Sequence, residues 1–267
     1  MNANGRSFER LVSEAEAAPI LGWDFSWLEG RATEERPSWG YSRLAASRLA
    51  TVSSALDIDT GGGELVAEIM SLPRIMVATE SWPANLIVAR KRLEPLGVRV
   101  VETGTEPTLP FDSRSFDLVL NRHGLKGRSE SAQAQQWWAE VVRVLRPTGS
   151  FLSQQVGGKT MKELHDAFRG SSSAERRRWG PAMARAVMES AGLEIVDLRE
   201  EFPRTEFFDV GAIVYYLRLV VWIIPDFNVH RYRSALRRLH EYIQENGSFV
   251  AHAHRFLVDA RPRTSTV

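Results

Sequence analysis

Leu56-Asp57-Ile58-Asp59-Thr60-Gly61-Gly62-Gly63-Glu64 is the stretch from which the rest of the chain can be read. An apolar run over 55–58 ends in a glycine cluster, and 64–70 then has a helical pattern, so the segment reads as strand, tight turn and helix. A glycine-rich turn between a first strand and its helix lets a ligand come close to the backbone, with N–H groups at the helix start facing it. Glu80 stands twenty-one residues after Asp59, at the end of the next expected strand, where a carboxylate can accept hydrogen bonds from both hydroxyls of a ribose. Trp82 follows and can offer an aromatic face to a nucleobase. The plain alternative is a tight turn beside a surface glutamate.

Outward from this turn, short β-like runs alternate with amphipathic helical ones, the pattern of a βαβ layered fold. Strands are expected over 74–78, 98–101, 116–120 and 150–154, with helices over 83–96 and 133–145 between them. Pro83 in a first turn and Gly97 just past the end mark one of these helices, and Pro147 and Gly149 follow the other. Strands separated by helices of this length pair in parallel, because a parallel return needs a crossover. Further on, Thr160 and Glu163 suggest a capping box opening a helix to Phe168, and Gly192 ends a second helix over 181–191. Runs over 193–202 and 248–260 are expected to pair antiparallel, with a helical insertion over 206–244 acting as a lid. Residues 1–54, with Trp23, Phe25, Trp27, Trp39 and Tyr41, read as an N-terminal helical cap, leaving 55–267 as the main domain.

Composition narrows the chemistry. The chain has 267 residues, 34 Lys+Arg against 33 Asp+Glu, 43% hydrophobic residues and no cysteine. No disulfide, thiolate nucleophile, iron–sulfur cluster or Cys-built zinc site is therefore available, and no metal is expected. The first twenty residues place Arg6, Glu9, Arg10, Glu14 and Glu16 among the apolar positions, so no signal-peptide core is expected and the protein is assigned to the cytoplasm. The most apolar stretch, 210–224, is short for a membrane span, holds Arg218 and is closed by Pro225. Arginine groups at 176–178 and 231–238 read as solvated helix surface rather than a nucleic-acid face.

Four segments follow in order: the glycine turn, Ile75 to Glu80, Leu109-Pro110-Phe111 followed by Ser115-Phe116-Asp117-Leu118-Val119, and Arg143-Val144-Leu145-Arg146-Pro147-Thr148-Gly149. Together they resemble the class I S-adenosylmethionine-dependent methyltransferases over about residues 50–160. The resemblance implies an α/β, Rossmann-like, mostly parallel seven-stranded sheet with helices on both faces and a C-terminal antiparallel hairpin. It also implies S-adenosyl-L-methionine as cofactor, held by Asp57, Asp59, Thr60, Gly61, Gly63, Glu80, Ser81, Trp82, Gly104, Thr105, Glu106, Asn121 and Arg122. Two departures stand out: Asp59 occupies the first glycine position of the family's turn, and Gly104-Thr105-Glu106 stands where an aspartate often holds the adenine amino group.

The implied reaction is in-line displacement at a sulfonium methyl, in which the protein mainly orients and desolvates. His123, after Asn121 and Arg122 at the end of the 116–120 strand, is the first candidate for a base or a substrate-orienting group. Trp39, Tyr41, Tyr215, Tyr216, Trp222 and His230 are candidate substrate contacts. Apolar residues cover both faces of the expected lid helix, so part of it is expected to pack on the sheet and part to line a pocket or a homodimer contact. The expected function is methyl transfer to O, N or C of a small organic acceptor. An RNA or protein methyltransferase, or a cofactor-binding protein that transfers no methyl, are the alternatives.

Overall fold

The computed structural model describes residues 6–20, 22–104, 106–124, 127, 129–170 and 179–263. The chain begins with α1 (Phe8–Ala17), β1 (Ala32–Glu34), α2 (Tyr41–Leu49), β2 (Ser54–Ile58) and α3 (Glu64–Ala67). Next come β3 (Ile75–Glu80), α4 (Pro83–Leu93), β4 (Arg99–Glu102), β5 (Phe116–Arg122), α5 (Ala132–Val144) and β6 (Leu145–Val156). The remainder is α6 (Lys162–Arg169), α7 (Pro181–Ser190), β7 (Leu193–Glu201), β8 (Arg204–Phe207), α8 (Val210–Leu219), α9 (Arg233–Asn246), β9 (Phe249–His252) and β10 (Arg255–Pro262).

Two compact units form. Among the described residues the larger takes 37–158, 179–201 and 255–263, and the smaller takes 6–36, 159–170 and 202–254. The division differs from the expected boundary at residue 54, because α2 belongs to the larger unit and α1 to the smaller.

The larger unit holds the expected sheet, seven strands in the order β4-β3-β2-β5-β6-β10-β7. β2 pairs in parallel with β3 and β5, β3 with β4 and β5 with β6, whereas β10 runs antiparallel between β6 and β7. The period-two alternation of a strand sorts its side chains to two cores. Leu56, Val77, Val119 and Phe151 join Trp137, Trp138 and Trp179 in one. Ala55, Met76, Leu118 and Leu152 join Trp39, Tyr41 and Leu49 in the other. Every residue of β2 is buried, as a central parallel strand covered on both faces requires.

The smaller unit departs from expectation in three places. The run 248–260 is not one strand: it breaks at Ala253-His254, so β9 pairs with β8 in a separate three-stranded sheet, β1-β8-β9, and only β10 joins the large sheet. The insertion starts as strand β8 and then forms two helices, α8 and α9. Thr160 and Glu163 make no capping box. The Thr160 hydroxyl donates to the His254 carbonyl (3.1 Å) and accepts from its N–H (3.0 Å), while the Glu163 carboxylate accepts from the His252 N–H (3.1 Å) and lies 2.8 Å from its Nδ1. Both side chains thus dock the end of β9, a long-range demand that local spacing does not reveal. α8 is the unit's central element, its core packed by Phe8, Leu11, Leu28, Phe207, Leu236 and Ile243.

Candidate cofactor and acceptor site

The glycine turn lies at the carboxyl end of β2, between β3 and β5, where open parallel sheets bind ligands. Asp59 adopts φ +54°, in the left-handed region that aspartate tolerates better than most residues. Its N–H is 3.3 Å from the Thr79 hydroxyl, and the Thr60 N–H donates to the Thr79 carbonyl at 2.9 Å. Gly61 (φ +65°) has open space where a Cβ would stand, so the turn leaves room against its backbone. Gly63 (φ +81°) is required for another reason: a Cβ there would come 2.7 Å from Leu93 of α4. Arg92 of α4 holds the Gly62 carbonyl and the Glu64 carboxylate from outside the turn.

Glu80 ends β3 buried. One carboxylate oxygen accepts from the N–H of Ser81 and of Trp82, both at 2.8 Å, and the other accepts from the Gly61 N–H at 2.8 Å. A carboxylate offers about four acceptor positions, so the second oxygen keeps capacity for a ligand hydroxyl. Trp82 is half-exposed in front of α4. Thr103, bonded through its N–H to the Glu80 carbonyl (3.0 Å), has a buried hydroxyl that finds no protein partner. Gly104 and Glu106 are exposed beyond the end of β4, and Thr105 lies outside the described residues.

Asp57 is fully buried inside β2. Burial, reinforced by the nearby charges of Asp59 and Glu80, raises its pKa to about 7 despite the opposing influence of Thr60 and Arg122. Three carboxylates therefore converge on one turn, and this set of acceptors suits a ligand that brings positive charge and vicinal hydroxyls.

Asn121 is a clamp. Its amide donates to the Ile58 carbonyl (2.9 Å) and its oxygen accepts from Gln155 (2.9 Å), tying β2, β5 and β6 together at the site's edge. Arg122 is exposed, close enough for its charge to act on Asp57 and Tyr41. His123 follows at φ +64°, its N–H donating to the Gln154 carbonyl (2.8 Å) and its Nε2 lying 2.8 Å from the Gln154 amide nitrogen.

The expected substrate contacts divide. Trp39 and Tyr41, in the larger unit, are buried and committed: the indole N–H to Gln154 Oε1 (2.8 Å), the phenol to the Leu152 carbonyl (3.0 Å). In the smaller unit Tyr215 is buried, stacked on Trp27 at 4.8 Å, with its hydroxyl donating to the Asp24 carbonyl (2.9 Å). Tyr216 packs edge-on against Phe207, Trp222 packs edge-on against Trp23, and His230 is exposed. Sequence reasoning passed over Gln154, Gln155, Thr79 and Thr103. Two adjacent glutamines in an interior strand, directly after Phe151, Leu152 and Ser153, were the available signal for the first pair.

A doubly covered, mostly parallel seven-stranded sheet with an antiparallel last strand, carrying a glycine turn and a following acid, defines a Rossmann-like ligand-binding protein. Residues 56–153 match the family described as "Methyltransferase domain". Over this segment, 98 of the 267 residues, the chain is similar to methyltransferase domains. It is 28% identical over 154 residues to the ubiquinone biosynthesis O-methyltransferase of Azorhizobium caulinodans, covering 54% of this chain and 59% of that protein. It is 34% identical over 95 residues to the demethylmenaquinone methyltransferase of Chlorobaculum tepidum, covering 35% and 37%. These matches span less than two thirds of either relative. The YcgJ protein of Bacillus subtilis shares the fold with a TM-score of 0.60 at 16% identity, over 84% of this chain and 99% of that one. Among the described residues no helix is long and apolar enough to cross a membrane, and no cluster of His, Asp and Glu is suited to a metal ion.

Proposed function

We propose that the protein binds S-adenosyl-L-methionine at the Asp57–Gly63 turn and transfers its methyl group to O, N or C of a small organic acceptor. The observation that carries this reading is the convergence of Asp57, Asp59 and Glu80 on an open glycine turn. When bound, the cofactor supplies an electrophilic methyl on a positively charged sulfur, so the protein need not generate the electrophile. The buried carboxylates offset the ligand's positive charge, Glu80 takes a ribose hydroxyl, Trp82 and the 104–106 segment serve the adenine, and Asp59 serves the methionine ammonium. Fixed orientation of donor and acceptor can lower the barrier by roughly 7–11 kcal/mol, so an acid–base residue is not obligatory. The relatives whose names specify quinone-type acceptors support an aromatic or otherwise apolar acceptor.

Calorimetric titration with S-adenosylmethionine and its demethylated product tests the first half. Saturable heat for both is expected, and silence for both would remove the reading. Incubation with candidate acceptors and a mass-spectrometric search for a gain of CH₂ tests the second half; binding without such a product would leave a cofactor-binding protein that transfers no methyl. An RNA or protein acceptor receives no support from the basic helix surface, because Arg231 is paired to Asp226 and both Arg233 and Arg237 to Glu9. The arginines at 176–178 lie outside the described residues.

A further inference from the structure

Gln154 of β6 stands between two ring systems whose hydrogen-bonding roles are unequal. The Trp39 indole N–H lies 2.8 Å from Gln154 Oε1 in a buried bond, and Gln154 Nε2 lies 2.8 Å from His123 Nε2. An indole nitrogen can only donate, so the amide must turn its oxygen to Trp39. The amide nitrogen, which has only hydrogens to offer, then faces the imidazole, and His123 Nε2 must be the acceptor. An imidazole accepting through Nε2 is neutral and carries its proton on Nδ1. Placing a proton on Nε2 would set N–H against NH₂. Turning the amide over to relieve that clash would set its NH₂ against the indole N–H. Neither move keeps both hydrogen bonds.

The surroundings hold this relay in register. His123 sits at φ +64° with its N–H on the Gln154 carbonyl at 2.8 Å, so ring and amide are fixed by the same backbone pairing. Trp39 is 6% exposed, and Tyr41, two residues later, anchors the start of α2 to the Leu152 carbonyl on the same strand. Among the described residues, Arg122 adjoins His123 in the chain, and its charge acts on Asp57 of β2 and Tyr41 of α2.

We propose that Trp39 and Gln154 are positioning residues that fix His123 as the neutral Nδ1–H tautomer, so that the ring serves methyl transfer as an oriented neutral group and not as the base. What the ring does for catalysis rests on the methyltransferase reading; the tautomer rests on the hydrogen bonds alone. Its consequence concerns the acceptor class. The acceptor's own lone pair forms the bond to the methyl carbon while the carbon–sulfur pair stays on sulfur, and any acceptor proton leaves to solvent. Suitable acceptors are those whose nucleophilic form exists without enzymic deprotonation, such as a neutral amine, or a phenol or enol acidic enough to ionise in water.

Nitrogen-15 NMR of the full chain labelled at histidine tests this without donor or acceptor present. His123→Gln assigns the signal among the 6 histidines. The expected wild-type pattern is a pyrrole-type Nδ1 and a pyridine-type Nε2, unchanged from pH 6 to 8. Gln154→Glu, which supplies only acceptors, is expected to abolish the pyridine-type Nε2 signal, and Trp39→Phe to give mixed tautomers. A protonated Nε2 or a charged ring in the wild type at neutral pH would overturn the proposal, as would either folded variant leaving the pattern unchanged. The wild-type spectrum decides the tautomer even if a variant does not fold. Where turnover is measurable, Trp39→Phe is expected to gain a pH-dependent limb near the ordinary histidine pKa that the wild type lacks. Turnover failing altogether would count against the methyl-transfer reading and leave the tautomer standing.

Discussion

Asp57 links charge to ligand binding at the scale of a single residue. In the free protein burial and two neighbouring carboxylates raise its pKa to about 7, whereas the unfolded chain ionises it near 3.8. Between those values the folded state binds more protons than the unfolded one, so this residue's contribution to stability falls as pH rises from about 4 to 7 and is flat beyond. A cationic ligand favours the ionised form. S-adenosylmethionine affinity is therefore expected to rise with pH through about 7 and binding at pH 6.5 to release protons, which calorimetry in buffers of different ionisation enthalpy would measure; Asp57→Asn should abolish the release. The two constrained glycines separate binding from stability. Gly63→Ala meets both a left-handed backbone and Leu93, and should cost about 2 kcal/mol or more in urea unfolding. Gly61→Ala meets open space, so it should cost about 1 kcal/mol through backbone strain while weakening cofactor binding much more.

Among the elements, α8 shows how an apolar pattern can be read in two ways. Its composition suggests a lid with one face on the sheet and another on a pocket or dimer contact. Within the smaller unit it forms the buried centre, with nine of its ten residues buried and Arg218 donating to the carbonyls of Ala15 and Ala18 at the end of α1. Asp209 starts this helix: its carboxylate accepts from the Ala212 N–H at 2.9 Å and lies 3.6 Å from Arg31 and 3.7 Å from Arg6. Asp209→Ala removes the cap and leaves Glu14 as the acid still paired with Arg6 and Arg31. A loss of about 2 kcal/mol, at the upper end for a cap, is expected in chemical denaturation. Asp209→Asn, which keeps an accepting oxygen, should recover part of it.

For the whole molecule, the decisive feature is that neither unit is a continuous stretch. Removing residues 1–54 as a presumed cap would take α1 and β1 from the smaller unit, and Trp39, Tyr41 and Leu49 from a core of the larger one. The 55–267 fragment is expected to lack a cooperative thermal transition and to be cut rapidly by protease; a sharp transition at the full-length temperature would show that 1–54 folds independently. Charge at this scale is balanced, and Arg233 and Arg237 of α9 are both paired to Glu9. Binding to an RNA oligonucleotide should accordingly be weak and lack a steep salt dependence.

The sequence by itself determined the parallel half of the sheet and the glycine turn at its edge. Those features rest on local signals: the glycines of 61–63, Glu80 at a strand end, Pro83 opening α4, and turn residues before β5 and β6. Tertiary structure decided the rest. The 248–260 run splits between two sheets because the backbone of His252 and His254 is claimed by Glu163 and Thr160, roughly ninety residues earlier. Trp39, Tyr41 and Tyr215 have the composition of substrate contacts, yet their polar ends are spent on distant protein partners. His123 shows the same division most sharply. Its position after β5 follows from the pattern, but its protonation depends on an amide in β6 whose orientation is fixed by an indole before α2, because hydrogen-bond direction is set by partners brought together only on folding.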